Sequence, residues 1–152
     1  MADIWRDDLS SEATRALVAL HLREAHANSP PGHSFALDLS GLQTPNVTVW
    51  TVRDGNAVMG VGALKDLRDG TGEVKSMRTH PTYLRKGVAG LLLDHLIAEA
   101  TARGWTRLSL ETGTGAAYEP ALALYRGRGF VDGEAFSNYQ RSAFNQFLHL
   151  RL

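Results

Sequence analysis

The 152-residue chain contains no cysteine. Disulfides, thiolate metal sites and thiol nucleophiles are therefore excluded, and the absence fits a cytoplasmic protein. Net charge is missing too. Sixteen Lys and Arg balance sixteen Asp and Glu, so no overall field draws the chain to nucleic acid or to an anionic membrane. No apolar run approaches the roughly 20 residues of a membrane span. The stretch Met1 to Asp8 carries acids where a signal peptide would carry bases. The histidines lack the i, i+4 spacing of metal ligands on a helix, which leaves no candidate metal site. With no internal repeat and no long polar linker, residues 1–152 are expected to form one domain with a real core.

What the sequence does contain is alternation. Ile4 to Arg6 reads as a short first strand. Ser10 or Ser11 then caps a helix that runs to about Ala27, with Ala13, Ala16, Leu17, Leu20 and Leu22 as its apolar face. Ser29-Pro30-Pro31-Gly32-His33 breaks that helix, and 35–42 is a short helical or irregular crossing. The middle is β. Residues 47–53, 57–64 and 73–79 are three strands, the first two joined by a turn at Asp54-Gly55-Asn56 and the last pair by Asp69-Gly70-Thr71-Gly72. A helix over 88–102 follows, ended by Arg103-Gly104. Residues 105–111 return as a strand, so 73–111 is a β-α-β unit. A second helix spans 118–128 with Pro120 in its first turn. Phe130-Val131 opens a short strand, and 144–152 closes the sheet. The fold class is α/β.

Between strand 73–79 and helix 88–102 lies Tyr83-Leu84-Arg85-Lys86-Gly87-Val88-Ala89-Gly90. A helix start presents unpaired N–H groups and roughly half a positive charge, and small residues let a bulky anion come close. Arg85 and Lys86 add cations. The pattern points to a phosphorylated ligand. It is not a P-loop, which needs Gly-Lys followed by Ser or Thr, and it is not the Gly-x-Gly-x-x-Gly dinucleotide fingerprint.

Two motifs in register resemble the GNAT superfamily of acyl-CoA-dependent N-acyltransferases. The first is the pyrophosphate loop (Arg/Gln)-x-x-Gly-x-(Gly/Ala), which falls on Leu84 to Ala89 with Leu84 as a departure. The second, Ala-x-x-Leu-Tyr-x-x-x-Gly-Phe, falls on Ala121, Leu124, Tyr125, Gly129 and Phe130 without exception. The likeness is close over about 47–132 and extends to a bacterial branch through Gly72 to Met77 and Leu110 to Gly113. It implies a mixed, mostly antiparallel sheet with a splayed parallel strand pair and helices on both faces. It also implies acetyl-CoA as co-substrate, an amine acceptor and dimerisation through the C-terminal strand.

The resemblance assigns residues as well. Backbone at Met77, Arg78 and Thr79 would pair with the pantetheine amides. The loop Leu84, Arg85, Lys86, Gly87, Val88, Ala89 and Gly90 would hold the pyrophosphate. Tyr118 stands where many members have an Asn that contacts pantetheine. Tyr125 would be the general acid that assists the departing thiolate. Only about one alkyl ammonium in a thousand is a free amine at pH 7, so the acceptor's proton needs a taker. Glu73, eleven residues before the loop motif, is the candidate base, with Glu111 on the next strand as the competing carboxylate. The expected reaction is direct acetyl transfer to a primary amine of a small molecule or protein. A non-catalytic acyl-CoA-binding module is the alternative.

Overall fold

The computed structural model describes residues 2–152. One sheet holds seven strands, β1 Asp3–Asp7, β2 Val47–Asp54, β3 Ala57–Asp66, β4 Thr71–Thr79, β5 Arg107–Gly113, β6 Val131–Gly133 and β7 Asn145–Arg151. Their order is β1-β2-β3-β4-β5-β7-β6. All neighbouring pairs are antiparallel except β4 with β5. Among the described residues four α-helices cover the faces, α1 Glu12–Ala27, α2 Leu39–Leu42, α3 Val88–Ala102 and α4 Glu119–Gly127.

Strand alternation sends successive residues of β2 to opposite layers. Val49 joins Leu17 and Val18 of α1 and Leu42 of α2 on one face. Trp50 joins Leu92, Leu93 and Leu96 of α3 and Leu122 and Tyr125 of α4 on the other. The mixed sheet with helices on both faces is thus as the family resemblance implies.

Several local expectations shift. Ser11 is the cap of α1, accepting from the Thr14 N–H. The buried face of α1 follows Thr14, Leu17, Val18 and His21, at i, i+3, i+4 and i+7, so Ala13 and Ala16 lie on its exposed flank. Tyr118 ends a 3₁₀ turn over Ala116–Tyr118, and α4 starts one residue later. Trp105 precedes β5 and folds onto Gly72, whose missing Cβ would stand 2.0 Å from the indole ring. Gly72→Ala must therefore displace Trp105, and overpacking of this kind costs about 1–3 kcal/mol. A lowered urea midpoint with altered Trp fluorescence is the expected result, and an unchanged midpoint would contradict this contact.

Glycines also let α3 settle close to the sheet. A Cβ at Gly60 would meet Val88 at 2.8 Å, and one at Gly62 would meet the Met77 sulfur at 2.7 Å and Leu92 at 3.1 Å. Opposite Gly62 the register of β4 slips. Val61 pairs with Arg78 and Ala63 with Lys75, so Ser76 and Met77 together face one residue of β3. Ser76 carries φ of 58°, the left-handed backbone of a bulge.

Candidate active site

The site begins where the sheet stops pairing. β4 and β5 share a register only over Thr71 to Glu73 against Arg107 to Ser109. Beyond that point β5 stays with β7, and the bulge at Ser76 turns β4 away. A parallel pair that opens in this way leaves one edge of β4 without a strand partner, the geometry an extended ligand can complete. A cavity of about 410 Å³ fills the gap. Val74 to Arg78 line one wall, Leu110 to Gly113 the other, and Tyr125 closes the α4 side.

At the end of this gap the chain turns into α3 through two left-handed residues, Arg85 at φ 62° and Gly87 at φ 79°. Gly87 is the N-cap and supplies no side-chain bond to the first turn of α3. Nothing lies within 4 Å of the place its Cβ would occupy. Backbone N–H groups are thus presented at an open helix start. Leu84, Arg85 and Lys86 are all exposed beside it, and the Lys86 ammonium lies 5.9 Å from the Tyr83 ring centre. Arg128 comes to the same place from beyond α4. Its Nη2 is 2.7 Å from where a Cβ of Gly90 would stand, and Nε bonds Asp94 at 2.7 Å. Arg126, two residues earlier, turns away and pairs with Asp132 at 3.1 Å.

Tyr125 is 6% exposed and packs edge-on against Phe130 with ring centres 5.7 Å apart. Burial pushes its phenol well above the ordinary value of 10, against a smaller opposing pull from the Arg78 charge. Its proton therefore stays in place across the physiological range.

The two carboxylates differ in access. Residues 73 and 75 share one face of β4, turned toward the segment after β6. There the Tyr139 hydroxyl donates to Glu73 Oε2 at 2.5 Å, and the Lys75 ammonium lies 3.4 Å from the same oxygen. The Glu73 side chain is 2% exposed and is not among the cavity-lining residues. Glu111 is among them. Burial raises its pKa to about 7; the Glu73 charge pushes the same way, and Lys75 and the Asn145 amide push back. It would be part ionised near neutral pH, the condition in which a carboxylate both accepts and returns protons.

Two lining features were not apparent in the sequence. His21 of α1 accepts from Arg78 Nε at 3.1 Å, and burial, reinforced by the Arg78 and Lys75 charges, lowers its pKa to about 4, so it is a neutral imidazole. Among the described residues, the hydroxyls of Ser34 and Ser76 are buried in the cavity wall without a hydrogen-bond partner. Tyr118 spans the gap and shares a hydrogen bond with Ser29 Oγ at 3.2 Å. A Cβ at Gly113 would strike the Tyr118 ring at 2.5 Å, so this glycine makes room for it.

The acetyltransferase (GNAT) family model matches residues 5–130. The chain belongs to the GNAT family. Like other members it is an acyl-CoA-dependent N-acetyltransferase. It is 47% identical over 152 residues to YedL, an uncharacterised N-acetyltransferase of Escherichia coli K12, spanning 100% of this chain and 96% of that one. A Klebsiella pneumoniae protein provisionally assigned as an acyl-CoA N-acyltransferase superimposes with a TM-score of 0.83 at 28% identity, over 100% of this chain and 98% of that one. A GNAT acetyltransferase of Elizabethkingia anophelis, solved with acetyl-CoA bound, has the same fold at a TM-score of 0.73 and 17% identity, covering 99% and 98% of the two chains. Among the described residues of this GNAT protein, no helix is long and apolar enough to cross a membrane.

Proposed function

We propose that this GNAT enzyme moves an acetyl group from acetyl-CoA to a primary amine of a small molecule or protein by direct attack, with residues 1–152 acting as one catalytic domain. The observation that carries the reading is the meeting, in one cavity at the β4–β5 gap, of a buried phenol and a carboxylate of raised pKa. The N–H groups at the start of α3, with Arg85, Lys86 and Arg128 around them, suit the pyrophosphate of acetyl-CoA. The free edge of β4 at Met77, Arg78 and Thr79 suits the pantetheine amides, and the unpartnered Ser76 hydroxyl lies in the same wall.

In this reading the amine nitrogen attacks the thioester carbon, and a backbone N–H of the bulge at Met77 or Arg78 meets the negative oxygen that forms. Glu111, rather than the sequestered Glu73, takes the proton released as nitrogen bonds to carbon. The C–S bond then breaks with its electron pair on sulfur. Tyr125 steadies that sulfur with a hydrogen bond; because burial makes a tyrosinate expensive, the thiolate's final proton is better supplied from Glu111 or solvent. Amide and free CoA thiol are the products.

The test is thermal. A ligand at about a hundred times its Kd adds about 2.7 kcal/mol of stability, roughly 5–10 °C for a chain of this length. CoA and acetyl-CoA should each raise Tm by that amount. Gly87→Glu, which sets a side chain on left-handed backbone and a carboxylate in the anion cradle, should remove the shift. A panel of primary amines is then screened by release of CoA thiol. No Tm rise with either ligand refutes the reading; binding without turnover on any amine favours an acyl-CoA-binding module.

A further inference from the structure

Lys75 stands near two carboxylates and is bonded to one. Its ammonium lies 3.4 Å from Glu73 Oε2, donates to the Tyr139 hydroxyl at 2.8 Å and donates to the Phe35 carbonyl at 3.2 Å. These contacts occupy the three donors an ammonium has. Tyr139 closes the ring by donating to Glu73 at 2.5 Å. The rings of Phe35, Phe136 and Phe147 hold Tyr139 in place, with centres 5.4, 5.1 and 6.0 Å away. The Glu73 and Lys75 side chains are 2% and 9% exposed. Across the gap, Glu111 makes no ion pair among the described residues.

We propose that Glu73 is a positioning residue: with Tyr139 it holds Lys75 away from Glu111, so that the Glu111 carboxylate stays unpaired and free to take the acceptor's proton. This rests on Glu111 being the proton acceptor. A lysine bonded directly to Glu111 would stabilise the anion and make it a poor base. Held by Glu73 it exerts only a partial pull, and the Glu73 charge opposes that pull.

The other groups facing the cavity are already committed. From α1, Glu24 is paired with Arg78 of β4 at 2.6 Å, and His21 is neutral. β7 contributes the uncharged Asn145 amide. On the α4 side Tyr118 is tied to Ser29 and Tyr125 keeps its proton. His33 sits in the loop after α1, edge-on to Phe144. Glu73 and Lys75 are therefore the pair whose removal should govern Glu111.

The experiment follows the glutamate Cδ resonances of the full chain, free of substrate, by carbon-13 NMR across pH. Glu73→Gln frees Lys75 to bond Glu111, and the Glu111 midpoint should fall by about one to two pH units. The double variant Glu73→Gln with Lys75→Met removes the freed cation along with its partner, and the midpoint should return to the wild-type value or above. Replacing both members of a buried pair is far gentler on the fold than removing one. A midpoint that stays or rises in Glu73→Gln overturns the proposal, and so does a double variant that keeps the single variant's low midpoint. Failure of the underlying reading shows elsewhere: Glu111→Gln would then turn over an amine acceptor at the wild-type rate, whatever the titration gives.

Discussion

Tyr125→Phe should slow acetyl transfer by about 100-fold or more and leave Tm nearly unchanged. The phenol is buried, yet none of the influences on its proton is a hydrogen bond from the protein. Removing the hydroxyl thus abandons no hydrogen-bond partner among the described residues, and phenylalanine keeps the edge-on packing with Phe130 and the contacts of the α3–α4 core. The loss falls on the departing sulfur, which must leave as an unassisted thiolate. Because burial holds the phenol proton well above its ordinary value, the wild-type profile should show no alkaline limb from Tyr125 below about pH 10. Release of CoA thiol with an accepted amine measures both. A rate within threefold of wild type would remove Tyr125 from the chemistry, and a parallel collapse of Tm would make its role structural.

Much of the frame can be read from residues alone because local rules agree with one another there. Helix 88–102 has its bounds fixed by Gly87 before it and Arg103-Gly104 after it, and the structure begins and ends α3 at the same residues. The meander is equally legible, since β-branched runs alternate with glycine turns. The site is harder for a physical reason. Whether a carboxylate is a base depends on what covers it, and the cover on Glu73 comes from Tyr139, 66 residues away. The bulge at Ser76 is likewise invisible to periodicity, because a single left-handed residue shifts the faces of β4 without changing its composition. Alternation does place residues 73 and 75 side by side, and an acid two positions from a base on a strand interior was the available hint of a buried pair. Loop cations mislead in the other direction. Arg126 and Arg128 look equivalent in sequence, and only the packing of α4 against α3 shows that the second one reaches Gly90.

Asp7→Asn should be the most damaging single change away from the cavity, costing about 3 kcal/mol and lowering Tm by roughly 6–12 °C. Asp7 ends β1, with its side chain 1% exposed, and its Oδ2 gathers three donors. These are Arg53 Nη2 at 2.7 Å and the hydroxyls of Thr14 and Thr51, each at 2.9 Å. Oδ1 accepts from the Leu9 N–H at 2.7 Å. One carboxylate therefore ties β1 to β2 and both to the first turn of α1. An amide in its place must turn an NH₂ toward donors and leaves the Arg53 charge uncompensated. Burial on its own would raise the Asp7 pKa; the Arg53 guanidinium, the Leu9 N–H and the two hydroxyls outweigh it and hold the group below 3.8. The sign follows. A carboxyl that is more acidic in the folded chain contributes its stability at pH above the unfolded value and loses it as pH falls through the folded one. Urea unfolding of the two proteins should differ fully at pH 7 and converge as pH drops below 3.8. A gap of the same size at pH 7 and at pH 2 would mean that packing, not the charge on Asp7, holds this corner together.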